Sequence, residues 1–271
     1  MMKRLLSIAP LALGVATATA HAATTISQVI SPVNVVISSG KAREVVSLPG
    51  KPVFFCGLEP FLDWAAPLVG QPVHSAPDTG ITVTIDGRDV SLEQLLADRG
   101  WLQPPVLSDD AQAAVTEGRG GWACAPAVAP FELLRTSVDP KVLAGIALNE
   151  SAYNGRPWPW TLNVAGQGLF FKSRTDAYKA IEMLIARGRC DFDVGLLQIN
   201  WCFHGKRFAS AWDALAPVTN VRVAEQILNE NYERTGSVEK AIAYYHSANP
   251  APGRAYLARF VRHLSMIEAR R

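Results

Sequence analysis

The sequence lacks the motifs by which metal enzymes are usually recognised. It contains no CxxC pair and no HExxH segment, and its five histidines are scattered along 271 residues. Zinc sites draw their ligands from closely spaced cysteine and histidine residues. We therefore predict no metal site and no cofactor.

Charge is also sparse and nearly balanced. Charged residues make up 18% of the chain, the formal net charge is +2, and no basic run occurs. Proteins that bind nucleic acid usually carry clustered Lys and Arg, so this composition predicts no nucleic-acid partner. Hydrophobic residues make up 49% of the chain, which is enough for a substantial core in one large domain or two ordinary ones.

The chain has few long apolar runs, and the one at its start is short. A basic "MMKR" precedes "LLSIAPLALGVATATA", and "AHA" at residues 20–22 resembles a cleavage site. This order is typical of a secretory signal peptide, here residues 1–22, cleaved near Ala22. The run is too short and too rich in Ala and Gly to favour a permanent membrane span.

Cysteine is scarce as well, with only Cys56, Cys124, Cys190 and Cys202. An even number of cysteines in an exported chain indicates disulfides, and four cysteines allow three pairings. We favour Cys56–Cys124 with Cys190–Cys202, because each bond then links residues within one half of the chain. Zinc binding is the weaker alternative.

The two halves differ in their sequence periodicity. Residues 23–124 contain short runs rich in Val, Ile, Thr and Phe, bounded by Gly, Pro and Asp, and predict a small β-rich domain with one or two helices. An Ala- and Pro-rich linker follows at residues 125–130. Residues 131–271 predict five helices with little strand signal. The fold class is therefore an α+β multidomain protein, with a small β-barrel-like domain followed by an all-α domain.

Helix boundaries are marked by capping residues. Ser91 is the predicted N-cap of one short helix of the first half, which ends at Gly100, and "SDDAQAAVTEGRG" predicts a second short helix. The predicted N-caps of the second half are Asp139, Ser173, Asn220 and Ser237. The last helix has a predicted core stripe of Tyr256, Phe260, Val261, Leu264 and Ile267.

One glutamate stands at an unusual place. In "VLAGIALNES" a helix puts Leu143, Ile146 and Glu150 on one apolar face. A carboxyl group on that face lies in the core or in a cleft, where burial raises its pKa. A carboxyl group with a raised pKa suits general-acid catalysis. The alternative is a helix-end glutamate that faces solvent.

Three segments together resemble a known family. They are Glu150–Ser151, "DVGLLQIN" from Asp193 to Asn200, and "AIAYYHSANPAPGRAYLARF" from Ala241 to Phe260. They resemble the lysozyme-like lytic transglycosylases of the soluble lytic transglycosylase type, whose markers are Glu-Ser, Gly-Leu-Met-Gln and Ala-Tyr-Asn followed by Tyr. Here Leu197 replaces the Met and His246 replaces the Asn.

The resemblance implies a lysozyme-like fold and a peptidoglycan glycan strand as substrate. Glu150 would protonate the glycosidic oxygen and then accept the proton of the C6 hydroxyl of muramic acid, which closes a 1,6-anhydro ring. Because the nucleophile belongs to the substrate, no second carboxylate is required. The location expected for such an enzyme is the periplasm.

The resemblance also implies a set of substrate-binding residues. Each has an alternative in packing or in loop structure. The set is Ser151, Gly195, Gln198, Tyr245, Tyr256 and Asn163. Trp158, Trp160 and Phe170 are further aromatic residues that can stack on sugars or simply pack.

Two aspartates keep ordinary hydrolysis open. If Asp191 or Asp193 lay across a cleft from Glu150, a lysozyme-type mechanism with two carboxyl groups would be possible. Both flank Cys190 in a turn-like segment, which favours a capping role.

The first half resembles the staphylococcal-nuclease-like barrel. The resemblance rests on "ADRGW" and "EGRGGW". Only Arg43 matches that family's catalytic residues, whereas Leu48, Lys51 and Ile81 stand at the expected carboxylate and arginine positions. Without carboxylates no calcium site forms, so the resemblance implies an inactive module for binding or positioning.

The predicted function is therefore a periplasmic lytic transglycosylase. The "WPWTLN" insert is similar to transglycosylases of conjugation and pilus systems, which implies a possible secretion or conjugation apparatus as partner. A hydrolytic lysozyme and a non-enzymatic wall-binding component remain as alternatives.

Overall fold

A computed structural model describes residues 23–76, 80–134 and 136–269. The predicted signal peptide at residues 1–22 lies outside the described residues. No helix in the described part of the chain is both long enough and apolar enough to cross a membrane.

The first part of the chain consists mainly of short antiparallel strands. They are β1 (Thr25–Ser31), β2 (Asn34–Ser39), β3 (Ala42–Ser47), β4 (Lys51–Pro52), β5 (Val73–Ala76), β6 (Gly80–Ile85), β7 (Arg88–Ser91) and β8 (Leu102–Gln103). They form the sheets β1-β2-β3 and β5-β6-β7 and the pair β4-β8. The two larger sheets meet at a single bridge between Thr25 and Pro72.

This arrangement corrects the barrel-like expectation for the first half. Among the described residues these strands form separate sheets and no closed barrel. Closure of a barrel requires a continuous hydrogen-bonded ladder around the ring, and one bridge at Thr25 does not supply it. The β-rich character itself is confirmed.

Three helices accompany these strands: α1 (Glu59–Ala65), α2 (Leu92–Asp98) and α3 (Asp109–Glu117). The predicted cap Ser91 accepts a hydrogen bond from the backbone N–H of Gln94. Ser108 caps the next helix in the same way, by accepting from the Ala111 N–H. Capping of this kind satisfies amide groups that the first turn of a helix leaves without a partner.

The second part is predominantly helical. Its helices are α4 (Ala129–Glu132), α5 (Pro140–Ser151), α6 (Arg174–Ala186), α7 (Trp201–His204), α8 (Ala211–Ala214), α9 (Pro217–Thr235), α10 (Val238–His246) and α11 (Pro250–Ala269). Asp139, Ser173 and Ser237 cap α5, α6 and α10 as predicted.

Two details of the helices differ from the prediction. Asn220 is not a cap, because α9 already begins at Pro217. Asn220 lies in the first turns of the helix, and its side chain is fully buried. Pro is favoured at the first position of a helix, where its missing N–H costs nothing. Val261 is exposed on α11, whereas Tyr256, Phe260 and Ile267 are buried.

A small sheet lies among these helices and was not predicted. Its strands and those of an adjacent pair are β9 (Ala152–Tyr153), β10 (Arg156–Pro157), β11 (Thr161–Val164), β12 (Gln167–Phe170), β13 (Phe192–Val194) and β14 (Ile199–Asn200). The strand order of the antiparallel sheet is β12-β11-β13-β14, and β9 pairs with β10. The second half is thus not purely α-helical.

The two halves have separate cores but share a seam. One core lies in the β-rich half and includes Ile26, Val83 and Leu92. The core of the helical half includes Ala113 of α3, although α3 precedes the predicted boundary at residue 124. Arg174 of α6 also forms an ion pair with Asp109 of α3, at 2.9 Å. Helix α3 therefore joins the two halves.

Candidate active site

Helix α5 places Glu150 at its last turn. Asp139 caps the start of the helix by accepting a hydrogen bond from the Lys141 N–H at 2.8 Å. Its middle packs tightly on α11, because a Cβ atom at Gly145 would lie 2.7 Å from the Phe260 ring. This close approach brings Glu150 next to Tyr256 of α11.

Glu150 opens into a cleft of about 320 Å³ between the small sheet, α7, α9 and α10. Its lining consists of Glu150, Asp193, Gln198, Ile199, Asn200, Phe203, His204, Ile227, Tyr245 and His246. The structure therefore brings together three of the predicted residues, namely Glu150, Gln198 and Tyr245.

Burial raises the pKa of Glu150 to about 7, and the charge of Asp193 adds to the rise. The Tyr256 hydroxyl and the Arg259 guanidinium oppose it. A carboxyl group with a pKa near 7 is divided between its acid and base forms at neutral pH, which suits a group that must donate a proton and later accept one.

The loop Gly195–Gln198 forms the floor of the cleft and is held by the predicted site residues. Ser151 Oγ donates to the Leu196 carbonyl at 2.6 Å, and the Tyr245 hydroxyl donates to the Leu197 carbonyl at 2.7 Å. Gln198 Nε2 donates to the carbonyls of Gly195 and Thr161 at 2.7 and 3.0 Å. Ser151 is fully buried beneath the loop and does not face the cleft.

Asn220 is the residue of this floor that sequence reasoning missed. Its Oδ1 accepts from the Leu197 N–H at 2.8 Å, and its Nδ2 donates to the carbonyls of Val194 and Ala214 at 3.0 and 2.9 Å. Gly195 passes directly over it, because a Cβ atom there would lie 2.4 Å from Asn220 Nδ2. The glycine is required for this contact, in a left-handed conformation with φ +81°.

Gln198 also has a left-handed backbone, with φ +47°. That conformation costs a residue with a Cβ atom about 1–2 kcal/mol. The two hydrogen bonds of its side chain amide offset this cost and fix the residue at the base of the cleft.

A row of polar residues crosses the small sheet. Asn200 pairs with Asp193, and Asp193 pairs with Asn163 on the next strand. Directly paired residues project from the same face of a sheet. Asn200 Nδ2 donates to Asp193 Oδ1 at 2.8 Å. Asn163 therefore lies on the cleft side of the sheet, although it does not line the cleft itself.

Asp193 is the aspartate that faces Glu150. Burial raises its pKa, whereas the Asn200 hydrogen bond and the His246 charge lower it. Asp191 lies elsewhere, exposed and paired with Arg189 at 2.7 Å. The capping role expected for both aspartates is thus wrong for Asp193.

Tyr256 and His246 complete the wall beside Glu150. Tyr256 is 1% exposed and its ring stacks on His246 with a centroid distance of 4.8 Å. Its hydroxyl is close enough to Glu150 to interact with the carboxyl group, but it has no partner at hydrogen-bonding distance and angle among the described residues. Tyr256 supports the carboxyl group and the His246 ring, and has almost no surface for a sugar.

The structure contains the disulfides Cys56–Cys124 and Cys190–Cys202, the two pairs favoured by the sequence analysis. Cys190–Cys202 encloses β13, the loop Gly195–Gln198 and β14. Trp158 and Trp160 were expected either to stack on sugars or to pack. Trp160 is buried, and Trp158 donates its indole N–H to the Phe171 carbonyl at 2.8 Å. Both tryptophans therefore have a packing role.

No group of three or more metal-ligating side chains capable of holding an ion occurs among residues 23–76, 80–134 and 136–269.

Residues 130–256, a little under half of the chain, match the family model of the Transglycosylase SLT domain. The matched segment runs from α4 to Tyr256 and contains every residue that lines the cleft. This segment is similar to lytic transglycosylase domains, enzymes that act on peptidoglycan. No curated protein and no solved structure matches the chain.

Proposed function

We propose that the chain is a periplasmic lytic transglycosylase that cleaves the β-1,4 bond between N-acetylmuramic acid and N-acetylglucosamine in peptidoglycan. The observation that carries the proposal is the placement of Glu150. It has a pKa of about 7 in a polar cleft, within the segment that matches the Transglycosylase SLT domain.

In the proposed reaction Glu150 acts twice. Its protonated form gives a proton to the glycosidic oxygen as the bond from C1 of muramic acid breaks. The C6 hydroxyl of the same sugar then attacks C1, and its proton passes to the Glu150 carboxylate. The product is a 1,6-anhydro sugar, and Glu150 ends in its starting form.

One observation supports hydrolysis as an alternative reaction. Asp193 lines the same cleft as Glu150, and a second carboxylate can stabilise or bind the positive C1 centre while water attacks. In a lysozyme the products would carry a reducing end. A third alternative is a wall-binding component without activity.

We further propose that the first half positions the enzyme, in line with its resemblance to an inactive nuclease-like module. The partner would be a secretion, pilus or conjugation apparatus that needs a local opening in the wall.

The decisive experiment is mass spectrometry of the fragments released from purified peptidoglycan. We expect wild-type protein to release fragments that end in 1,6-anhydromuramic acid, and Glu150→Gln to release fewer than about one hundredth as many, since it cannot donate the proton. Glu117→Gln is the matched control, because Glu117 also has a pKa raised to about 7 but lies on α3 outside the cleft.

Each other outcome rejects a part of the proposal. Fragments heavier by one water would show a lysozyme, in which Asp193→Asn should be as inactive as Glu150→Gln. Substantial release by Glu150→Gln would remove Glu150 as the acid. Release of nothing by the wild type would favour the wall-binding component.

A further inference from the structure

An apolar ring stands in solvent at the rim of the cleft. Phe203 is 82% exposed and lines the cleft together with Glu150 and Asp193. Because this ring lies on the rim of a polar cleft, a ligand in the cleft can pack on it.

The short helix that carries Phe203 is firmly fixed. Asn200 Oδ1 caps it by accepting from the Phe203 N–H at 3.3 Å. Trp201 stacks between Phe192 and Phe208, with centroid distances of 5.9 and 6.2 Å. Cys202 is tied to Cys190. The Phe203 ring is therefore an apolar surface on a rigid support.

A second exposed aromatic surface lies at the far edge of the small sheet. Tyr153 and Phe170 are 44% and 42% exposed, and their rings lie 5.1 Å apart. Trp158 packs against Tyr153 from behind at 5.5 Å. Tyr153 follows Glu150 by only three residues, so this pair is close to the catalytic end of α5.

The polar row of the sheet connects the two aromatic surfaces. It runs from Asn200 through Asp193 and Asn163 to Gly168 on the edge strand. Three strand spacings make this row about 14 Å long. Gly168 has no side chain to close the path, and Phe170 shares its face of the strand because it lies two residues further on.

We propose that this row is the floor of an extended groove in which a glycan strand lies, with sugars stacked on Phe203 at one end and on the Tyr153–Phe170 pair at the other. This inference rests on the proposed function and names the residues that would bind the substrate on either side of the cut. Glu150 and Asp193 line the cleft between the two aromatic surfaces, so the groove would hold sugars on both sides of the acid.

The chemistry of the groove fits a neutral sugar chain. One face of a pyranose ring consists of C–H groups, which pack on an aromatic ring. Its edges carry hydroxyl and N-acetyl groups, and the amides of Asn163 and Asn200 offer both donors and acceptors for them. Alternation of apolar platforms with polar groups is the usual composition of a ligand cleft.

The test is the binding of chitin oligosaccharides of two to six sugars to the full chain carrying Glu150→Gln, measured by calorimetry. We expect affinity to rise with length up to the longest oligosaccharides. Phe203→Ala and Phe170→Ala should each weaken hexasaccharide binding about tenfold, equal to about 1.4 kcal/mol. Phe203→Tyr should restore it, since it keeps the ring.

The matched control is Phe55→Ala, which removes a half-exposed phenylalanine from the first half of the chain. It should leave binding unchanged. Since all three side chains are exposed, thermal unfolding should confirm that the variants are folded. The groove is rejected if affinity stops rising at the disaccharide, or if either single substitution in the groove leaves hexasaccharide affinity unchanged.

These outcomes are separable from those for the catalytic proposal. If the wild-type protein releases no peptidoglycan fragments but the groove variants lose affinity, the catalytic proposal is rejected and the groove is supported. Fragment release with unchanged oligosaccharide affinities contradicts the groove and keeps the catalysis.

Discussion

At the scale of single residues, the acid form of Glu150 controls the expected pH dependence. The pKa of Glu150 is about 7, and the first step requires its protonated form. The rate of fragment release should therefore fall as the pH rises through about 7. Initial rates between pH 5 and 9 measure this directly.

Asp193 supplies an internal check on that prediction. Its charge contributes to the raised pKa of Glu150, so Asp193→Asn should move the falling limb to lower pH. A rate that stays constant through neutral pH would contradict the assignment of Glu150 as the acid. Complete inactivity of Asp193→Asn would favour the hydrolytic mechanism.

Asn220 is a second residue whose removal has a defined cost. Asn220→Ala leaves the Leu197 N–H and the carbonyls of Val194 and Ala214 without their partner. An unsatisfied buried polar group costs about 1–3 kcal/mol, so we expect the free energy of unfolding to fall by at least that amount. Turnover should also fall in the folded fraction, because the floor of the cleft loosens.

Urea unfolding and activity assays measure these two effects. Asn229→Ala is the control, since Asn229 lies on the same helix with an exposed side chain. An unfolding free energy for Asn220→Ala within about 0.5 kcal/mol of the wild type would show that solvent replaces the lost partners.

From the sequence we could predict that Glu150 and several site residues lie together, but not how the floor of the cleft is held. Helical spacing placed Glu150 on an apolar face, and the structure puts it at the cleft. Gln198 and Tyr245 were found through the family resemblance, yet their polar hydrogens bond to backbone carbonyls. Which acceptor a side chain chooses depends on neighbours that are distant in sequence, and no local pattern records them.

At the scale of elements, predictability followed length. The capped helices α5, α6 and α10 begin where Ser or Asp precedes an amphipathic run. The strands β11 to β14 have two to four residues, too few for a twofold alternation to be visible. Asn220 was misread because an Asn before an apolar run resembles a cap.

The disulfide Cys190–Cys202 belongs to this scale, because it ties β13 to α7. Closing a loop of this size stabilises a chain by about 3 kcal/mol in the entropic account. Cys190→Ser with Cys202→Ser should lower the melting temperature. It should also lower the oligosaccharide affinity of the protein that remains folded. The affinity falls because Phe203 loses its fixed support.

Cys56→Ser with Cys124→Ser provides the comparison. That pair lies outside the cleft, so its removal should lower stability and leave the affinity of the folded protein unchanged. Equal affinities for the two double variants would show that the disulfide Cys190–Cys202 has no part in positioning the groove.

At the scale of the whole molecule, the seam formed by α3 decides where the chain can be divided. A fragment of residues 126–271 loses α3 and with it Ala113 and the Asp109 partner of Arg174. A fragment of residues 105–271 with Cys124→Ser keeps them. We expect the shorter fragment to melt at a clearly lower temperature in a thermal scan, because it leaves part of the helical core open.

Melting of both fragments at the same temperature would contradict a structural role of α3. The comparison matters for interpretation because the family match begins at residue 130 and would suggest a boundary after α3. From the packing of Ala113 and the Asp109–Arg174 ion pair, we expect the boundary of the stable unit to lie before α3.

Under the proposed function, the same seam has a consequence for where the wall would be opened. Arg156 Nη1 donates to the Ala123 and Ala125 carbonyls across the junction, and α3 is packed into both halves, so the first half cannot swivel freely against the groove. A surface that holds the first half would therefore also fix the orientation of the cleft. Sites of wall opening would then be chosen by the orientation of an anchored enzyme, not by any mark on the glycan.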